Sequence, residues 1–348
     1  MRIGFNVLPL QTGHKVRGIG LYTKNLLREL KKSREVQIVE FEDIDKLANV
    51  DLVHYPFFDL FFSSLPNKKK FPTVVTIHDV IPLVFSKYYP VGIKGWINLQ
   101  LQKRALNNVK AIITDSVSAK EDIAKYLKVP PEKIYPVYLG VSDSFKIIRD
   151  ELKLDILKQK YDLPETFALY IGNVNWNKNL SALAKACVNA NTTLVLIGSG
   201  FEERENLDHP ELKYFKDFLK EYESNPLIKI LGYVGEDDLP LIINLSKMVL
   251  LPSFYEGFGL PILEAQACGV PVITSNVSSM PEVAGKGAIL VDPSDEEEIE
   301  QAVKVLLVNS AKRAELIKKG LQNVARFSWK KTADETIKVY QFALKAQQ

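Results

Sequence analysis

Short runs of β-branched and other apolar residues alternate along the chain with stretches in which apolar side chains recur every three or four positions. The runs predict strands at 2–8, 36–41, 52–55, 73–77, 111–114 and 134–137, then again at 167–171, 193–197, 228–231, 248–251, 271–274 and 288–291. The periodic stretches predict helices between them, among others at 19–31, 117–127, 180–189 and 296–307. Strands separated by helices make βαβ units and parallel sheets. Two sets of about six strands exceed one comfortable doubly wound sheet, so the expected class is α/β with two Rossmann-like domains. A Gly-Val-Ser-Asp turn before a lysine-rich helix puts the boundary near 142–150. The segment 328–346 reads as a helix, with Trp329, Ala333, Ile337, Tyr340 and Leu344 on one face. Its pattern alone does not say which domain it covers.

Composition narrows the picture. The 348 residues are 46% hydrophobic and 25% charged, the balance of an ordinary globular chain. No apolar run approaches the ~18 residues of a membrane span. The opening Met1-Arg2-Ile3-Gly4-Phe5-Asn6-Val7 reads as a strand rather than a signal peptide. Cys187 and Cys268 are far apart and form no CxxC, which argues against a disulfide scaffold or a zinc ribbon and for a cytoplasmic setting. His14, His54, His78 and His209 show no ligand spacing, so no metal is expected. Asp43-Ile44-Asp45 has the DxD form of a metal-dependent site, but it lies in an acidic stretch that reads as solvated surface.

A net charge of +3 is too small to suggest nucleic acid as a partner. The charge is uneven, however. Residues 1–150 hold 23 Lys+Arg against 15 Asp+Glu, leaving 22 against 27 in the remainder. This asymmetry points the first half toward something anionic, although scattered surface lysines produce it equally well.

The densest chemistry follows the strand at 248–251. In Pro252-Ser253-Phe254-Tyr255-Glu256-Gly257-Phe258-Gly259-Leu260-Pro261, two glycines allow a tight turn, Pro261 suits a first helical turn, and Gly269 suits the helix end. The free amides of Gly259 and Leu260 would then offer a helix N-terminus to phosphate or sugar oxygens. Glu256 precedes that terminus and Glu264 lies one turn inside it. Two acids beside an anion site make sense where each accepts hydroxyl donors from a sugar or ribose.

With its seven intervening residues, this Glu256…Glu264 segment resembles the signature of the family 4 retaining glycosyltransferases. The likeness continues through Ser275-Asn276 and Met280-Pro281-Glu282-Val283-Ala284-Gly285. The resemblance implies a GT-B fold: two Rossmann-like domains facing a cleft, residues 1–145 binding the acceptor and 146–328 the nucleotide sugar. It also implies a last helix, within 329–348, that crosses back to the N-terminal domain. Carried over by residue, Glu264 would accept the ribose hydroxyls. Glu256 would hold donor-sugar hydroxyls, helped by the amides of Gly257, Phe258 and Gly259.

Lys178, in the segment after Gly172 and Asn173, matches the lysine on the donor diphosphate. A fixed cation there favours the transition state, because charge grows on the departing phosphate. The family's companion arginine is replaced by Asn173 and Asn177 at the two positions where it usually stands, and Arg17 in the first loop is expected to supply the charge. That loop, Arg17-Gly18-Ile19-Gly20, resembles the family's N-terminal glycine loop, and its lack of a third glycine disfavours a Rossmann dehydrogenase.

His78, at a strand's carboxyl end, reads as readily structural as functional. It matches the family histidine near the reacting carbon, where it would position and polarise rather than act as general base. Ser116 and Ser118 are weaker acceptor-side candidates. Gly198, Tyr233 and Val234 resemble the loops around the nucleotide base, which would be read through backbone.

On the acceptor side, Phe57-Phe58-Asp59-Leu60-Phe61-Phe62, Lys68-Lys69-Lys70 and Trp96 suit a peripheral contact with an anionic membrane surface, or else a partly buried loop. The expected activity is retaining transfer of a hexosyl unit from a UDP-, GDP- or dTDP-sugar to a saccharide or lipid-linked saccharide, with no cofactor. The alternatives are a hydrolysing epimerase of the same fold and a non-catalytic nucleotide-sugar-binding subunit.

Overall fold

The computed structural model describes residues 1–11, 18–205 and 207–345. The chain divides into two compact units, Met1–Gly140 with Phe327–Gln348, and Val141–Arg326.

The first unit is built on β1 (Arg2–Asn6), β2 (Gln37–Phe41), β3 (Leu52–Tyr55), β4 (Thr73–Thr76), β5 (Ala111–Thr114) and β6 (Ile134–Pro136). All neighbours pair in parallel, in the order β2-β1-β3-β4-β5-β6. β3, β4 and β5 are buried at every position, including the polar His54, Thr73, Thr76 and Thr114, which reflects cover on both faces rather than one. β1 ends at Asn6 rather than at residue 8, because Leu8–Leu10 turn into a 3-10 helix around Pro9, which has no N–H for a ladder.

The helix Gly18–Lys32 buries Tyr22, Leu26, Leu27 and Leu30, and its last turn carries Lys31 and Lys32, where the helix dipole favours cations. The helix Trp329–Lys345 packs on it and on β4 and β5, burying Trp329, Ala333, Ile337 and Tyr340. The last helix therefore belongs to this unit. The chain leaves the unit past Gly140 and returns beside it. A Cβ on Gly140 would lie 2.0 Å from the backbone N of Trp329, so only glycine fits.

The second unit carries β7 (Phe167–Ile171), β8 (Thr193–Ile197), β9 (Ile228–Gly232), β10 (Met248–Leu251), β11 (Val272–Ser275) and β12 (Ala288–Val291). The order is β12-β11-β10-β7-β8-β9, again all parallel. From β7 the chain winds to β8 and β9, then returns to lay β10 on the other side of β7. The direction of winding reverses between β7 and β10, and ligands of open α/β sheets bind outside the carboxyl ends of such a pair.

Candidate active site

The loops after β7 and β10 meet at that reversal and are stitched together by polar side chains. Asn177 donates from Nδ2 to the carbonyl of Tyr255 at 2.8 Å, while its own carbonyl accepts from Phe254 N at 2.8 Å. Asn179 sits in the left-handed region (φ 57°) and donates to the carbonyls of Pro252 (3.1 Å) and Pro293 (2.7 Å). The Trp176 ring stacks on Phe254, centroids 4.8 Å apart.

This scaffold presents Lys178, at the end of the short 3-10 turn Trp176–Lys178, to Glu256. Lys178 Nζ lies 2.8 Å from Oε1 and 2.7 Å from Oε2 of Glu256. Ser253 Oγ donates to Oε1 at 2.7 Å, and Glu256 N donates to Ser278 Oγ at 3.1 Å. Ser279 Oγ donates toward the carbonyls of Glu256 (2.8 Å) and Phe258 (2.9 Å), and Ser275 Oγ to that of Ser253 (2.6 Å). The two charged side chains are 16% and 11% exposed, so the pair is shielded yet reachable. Asn177, at one position where an arginine was missed, is buried and holds the two loops together. Asn173 is exposed.

The helix Leu260–Ala267 starts directly behind this pair. Gly259 adopts φ 98°, Pro261 stands in the first turn, and no side chain caps the terminus. Pro261 has no N–H, and the Ile262 amide donates to the Gly259 carbonyl at 3.0 Å. Glu264, one turn in, is 7% exposed, and burial pushes its carboxyl up to about 7. Among the described residues no cation or side-chain donor meets that carboxylate.

Two further glycines stand at the carboxyl ends of β8 and β9. Gly198 has φ 154°, and a Cβ there would lie 1.9 Å from the carbonyl oxygen of Gly172. Gly232 (φ 72°) leads to Tyr233, whose N–H donates to Glu202 Oε1 at 2.9 Å. That amide is thus engaged within the protein, while the Tyr233 ring is half-exposed and Val234 is buried.

His78 belongs to the other unit, just past β4. Its Nδ1 is 2.8 Å from Asp115 Oδ2, its Nε2 is 3.2 Å from the carbonyl of Pro56, and Tyr22 packs edge-on at 4.7 Å between centroids. Burial works against the imidazolium, but the Asp115 carboxylate outweighs it, with help from Asp79, and holds the His78 pKa above the ordinary histidine value. Behind it runs a buried chain. Tyr22 OH meets Thr76 Oγ1 (3.0 Å), Thr76 Oγ1 meets His54 Nε2 (2.8 Å), and His54 Nδ1 meets Tyr340 OH (2.7 Å). His54 is wholly buried and stays neutral, its pKa pushed down to about 3.

Gly18 opens its helix with nothing within 4 Å of a would-be Cβ, so sterics do not demand glycine there. Arg17 lies outside the described residues. Ser116 caps the helix Val117–Leu127 by accepting from Ala119 N, a structural role, and Ser118 is half-buried.

The aromatic run divides. Phe58 and Leu60 join the core, whereas Phe62 is 72% exposed. Lys69 and Lys70 are tied to backbone carbonyls, of Ala105 (2.8 Å) and Leu47 (2.9 Å) among others, rather than projecting freely. The helix Ile93–Leu106 instead exposes Ile93, Trp96, Ile97 and Leu101 along one side. Asp43, from the DxD stretch, accepts from Asp45 N and caps a 3-10 turn. Among the described residues no cluster of three or more His, Cys, Asp or Glu is placed to hold a metal, and no helix is long and apolar enough to cross a membrane.

The family model described as glycosyl transferases group 1 matches residues 155–323, and that of Glycosyltransferase Family 4 matches residues 38–145. The O-antigen chain mannosyltransferase B of Escherichia coli is 32% identical over 272 residues, covering 77% of this chain and 69% of that protein. The serotype-specific mannosyltransferase WbdA of Escherichia coli is 29% identical over 79% of this chain, which spans only 34% of that longer protein. Among solved structures, sucrose-phosphate synthase of Thermosynechococcus elongatus shares the fold, with a TM-score of 0.75 over 99% of this chain and 100% of that one, at 19% identity.

Proposed function

Since the chain belongs to the group 1 glycosyltransferases of family 4, we propose that it moves a hexosyl unit from a nucleoside diphosphate sugar to a hydroxyl of a saccharide or lipid-linked saccharide, with retention at the anomeric carbon. The observation that carries this is the Lys178–Glu256 pair, braced by Ser253, beside an uncapped helix start at the sheet's reversal point.

Lys178 is fixed in place by its contacts with both carboxylate oxygens of Glu256. Placed on the diphosphate, it stabilises charge that builds as the glycosidic bond breaks, and a preorganised cation costs no rearrangement at that moment. Glu256 then accepts sugar hydroxyls, and the amides at Gly259 and Leu260 take phosphate or sugar oxygens. Glu264, a buried carboxylate lacking donors, gains most from two ribose hydroxyls. His78 contributes an N–H donor near the reacting carbon. Retention follows if the departing phosphate accepts the acceptor's proton on the same face.

The relatives' names make a mannosyl unit the first donor to try. Arg17 supplies the second phosphate-binding charge that Asn173 and Asn177 do not. The acceptor unit touches anionic membrane peripherally through the Ile93–Leu106 stripe, and no nucleic acid or cofactor takes part.

The test offers GDP-mannose, UDP-glucose and dTDP-glucose in turn with a mannose oligosaccharide, reading transfer and the anomer formed by NMR. An α-linked product from an α-donor, lost in Glu256→Ala, supports the proposal. An epimer from donor alone would favour a hydrolysing epimerase. Binding without turnover of any donor would favour a non-catalytic subunit.

A further inference from the structure

The surroundings of His78 fix more than its position. Both ring nitrogens face acceptors: Nδ1 meets Asp115 Oδ2 at 2.8 Å and Nε2 meets the Pro56 carbonyl at 3.2 Å. A neutral imidazole has one N–H and one lone pair, so either tautomer would aim a lone pair at an oxygen. Only the doubly protonated ring satisfies both contacts while Asp115 stays ionised. Moving the shared proton onto Asp115 would keep the geometry, but it requires a carboxylic acid more basic than imidazole, the reverse of their ordinary order.

Asp115 itself is 4% exposed, and its Oδ1 has no hydrogen-bond partner among the described residues. A buried carboxylate so poorly solvated is tolerable when a full positive charge lies against it. The other groups facing the ring do not compete for that role. Tyr22 presents a ring edge and bonds through its hydroxyl to Thr76, His54 is neutral, and Asp79 adds negative charge on the same side.

We propose that Asp115 is a positioning residue that holds His78 as a doubly protonated imidazolium, so that His78 meets the reactants as a charged Nε2–H donor. The Pro56 carbonyl, at 3.2 Å, is the weaker of the two contacts and is the one an incoming phosphate or hydroxyl oxygen replaces. The protonation state stands on geometry alone, whereas its use in catalysis rests on the glycosyl transfer proposed above.

The experiment follows the ring nitrogens of His78 by NMR in histidine-labelled full-length protein, assigned with His78→Gln, in wild type, Asp115→Asn and Asp115→Glu. Transfer rates are measured across the same pH range. In wild type both nitrogens should stay protonated through neutral pH. In Asp115→Asn the second proton should leave about one to three pH units lower, with transfer slowed about tenfold or more at alkaline pH and recovering toward acid. Asp115→Glu should restore both, and wild type and this variant decide the matter should Asp115→Asn fail to fold. A single ring proton in wild type at neutral pH, an unmoved titration in Asp115→Asn, or a loss of rate equal at every pH would each overturn the proposal. Failure of the wild type to transfer at all would count against the function proposed above, and the titration would then decide this claim by itself.

Discussion

Replacing Glu264 by Gln should make the protein more stable and less able to bind its donor, and the two effects should separate by pH. Burial raises the Glu264 pKa from 4.5 to about 7. An acid with a raised folded-state pKa holds its proton more tightly when folded. Its effect on the fold is therefore neutral at low pH and becomes a penalty as pH climbs from the unfolded value to the folded one. A gap of about 2.5 pH units corresponds to about 3 kcal/mol at full ionisation. Glutamine keeps the shape and removes the titration. Any cost of burying its amide is independent of pH and appears as a constant offset.

Scanning calorimetry should thus show the variant's Tm advantage growing by about 5–10 °C between about pH 5 and about pH 8.5 for a unit of this size. Nucleoside diphosphate affinity should behave in the opposite sense. The carboxylate offers two charged acceptors to the ribose hydroxyls, stronger than the single carbonyl oxygen of the acid or the amide, so wild-type affinity should drop by up to about tenfold for each pH unit below 7, and the variant should bind weakly with no such slope. An advantage of the same size at both pH values, or a wild-type affinity flat with pH, would show that Glu264 is neither strained by burial nor the ribose acceptor.

Four further outcomes are expected. Lys178→Ala should lower turnover by about 100-fold or more and destabilise the second unit by about 3 kcal/mol through the stranded Glu256. Adding Glu256→Ala should recover the stability, read by urea unfolding, but not the rate. Gly198→Ala should cost about 3 kcal/mol or more, because φ 154° and the Gly172 carbonyl at 1.9 Å both reject a Cβ, and a Tm unchanged from wild type would contradict the loop geometry. Arg17→Ala should reduce turnover about 100-fold with little change in Tm, and a normal rate would remove Arg17 from the site. Changing Ile93, Trp96 and Ile97 together to Ser should abolish salt-sensitive flotation with anionic liposomes, and flotation equal to wild type would reject the stripe as a membrane contact.

Strand positions were legible because each parallel strand is a short apolar run bounded by polar turns, and β3, β5, β7, β8, β10 and β12 fall on the expected residues. The order of strands was not legible, since periodicity is blind to which neighbour a strand chooses. Glu256, Glu264 and Lys178 stood out by spacing and residue type. Their mutual arrangement did not, because the Lys178–Glu256 contact joins residues 78 apart through a tertiary reversal.

Ser253 and Ser275 stood in the motif without a role, and Ser278 and Ser279 were not singled out, as serines near a turn read as ordinary loop chemistry. Asp115 lay in plain view after β5, but its partner is 37 residues upstream, and nothing local links them. The aromatic run at 57–62 fits the partly buried loop among its two readings, because alternate side chains of a loop can turn inward, and Phe58 and Leu60 do so. The exposed stripe on the helix at 93–106 was not legible, because Lys94, Asn98, Gln100, Gln102, Lys103 and Arg104 are interspersed with its apolar residues and leave no clean polar face to tell the outer side from the inner one.

The contact between Gly140 and Trp329 makes residues 141–326 an insert spliced into a single point of its host. Its two ends emerge side by side, so excising it needs only a short bridge to reseal the remainder, and joining those ends lets the excised piece be reopened at another surface loop. It also makes Gly140 a doorway shared by both crossings of the chain. One methyl group there would push the outgoing and returning segments apart, disturbing both tethers of the second unit at once.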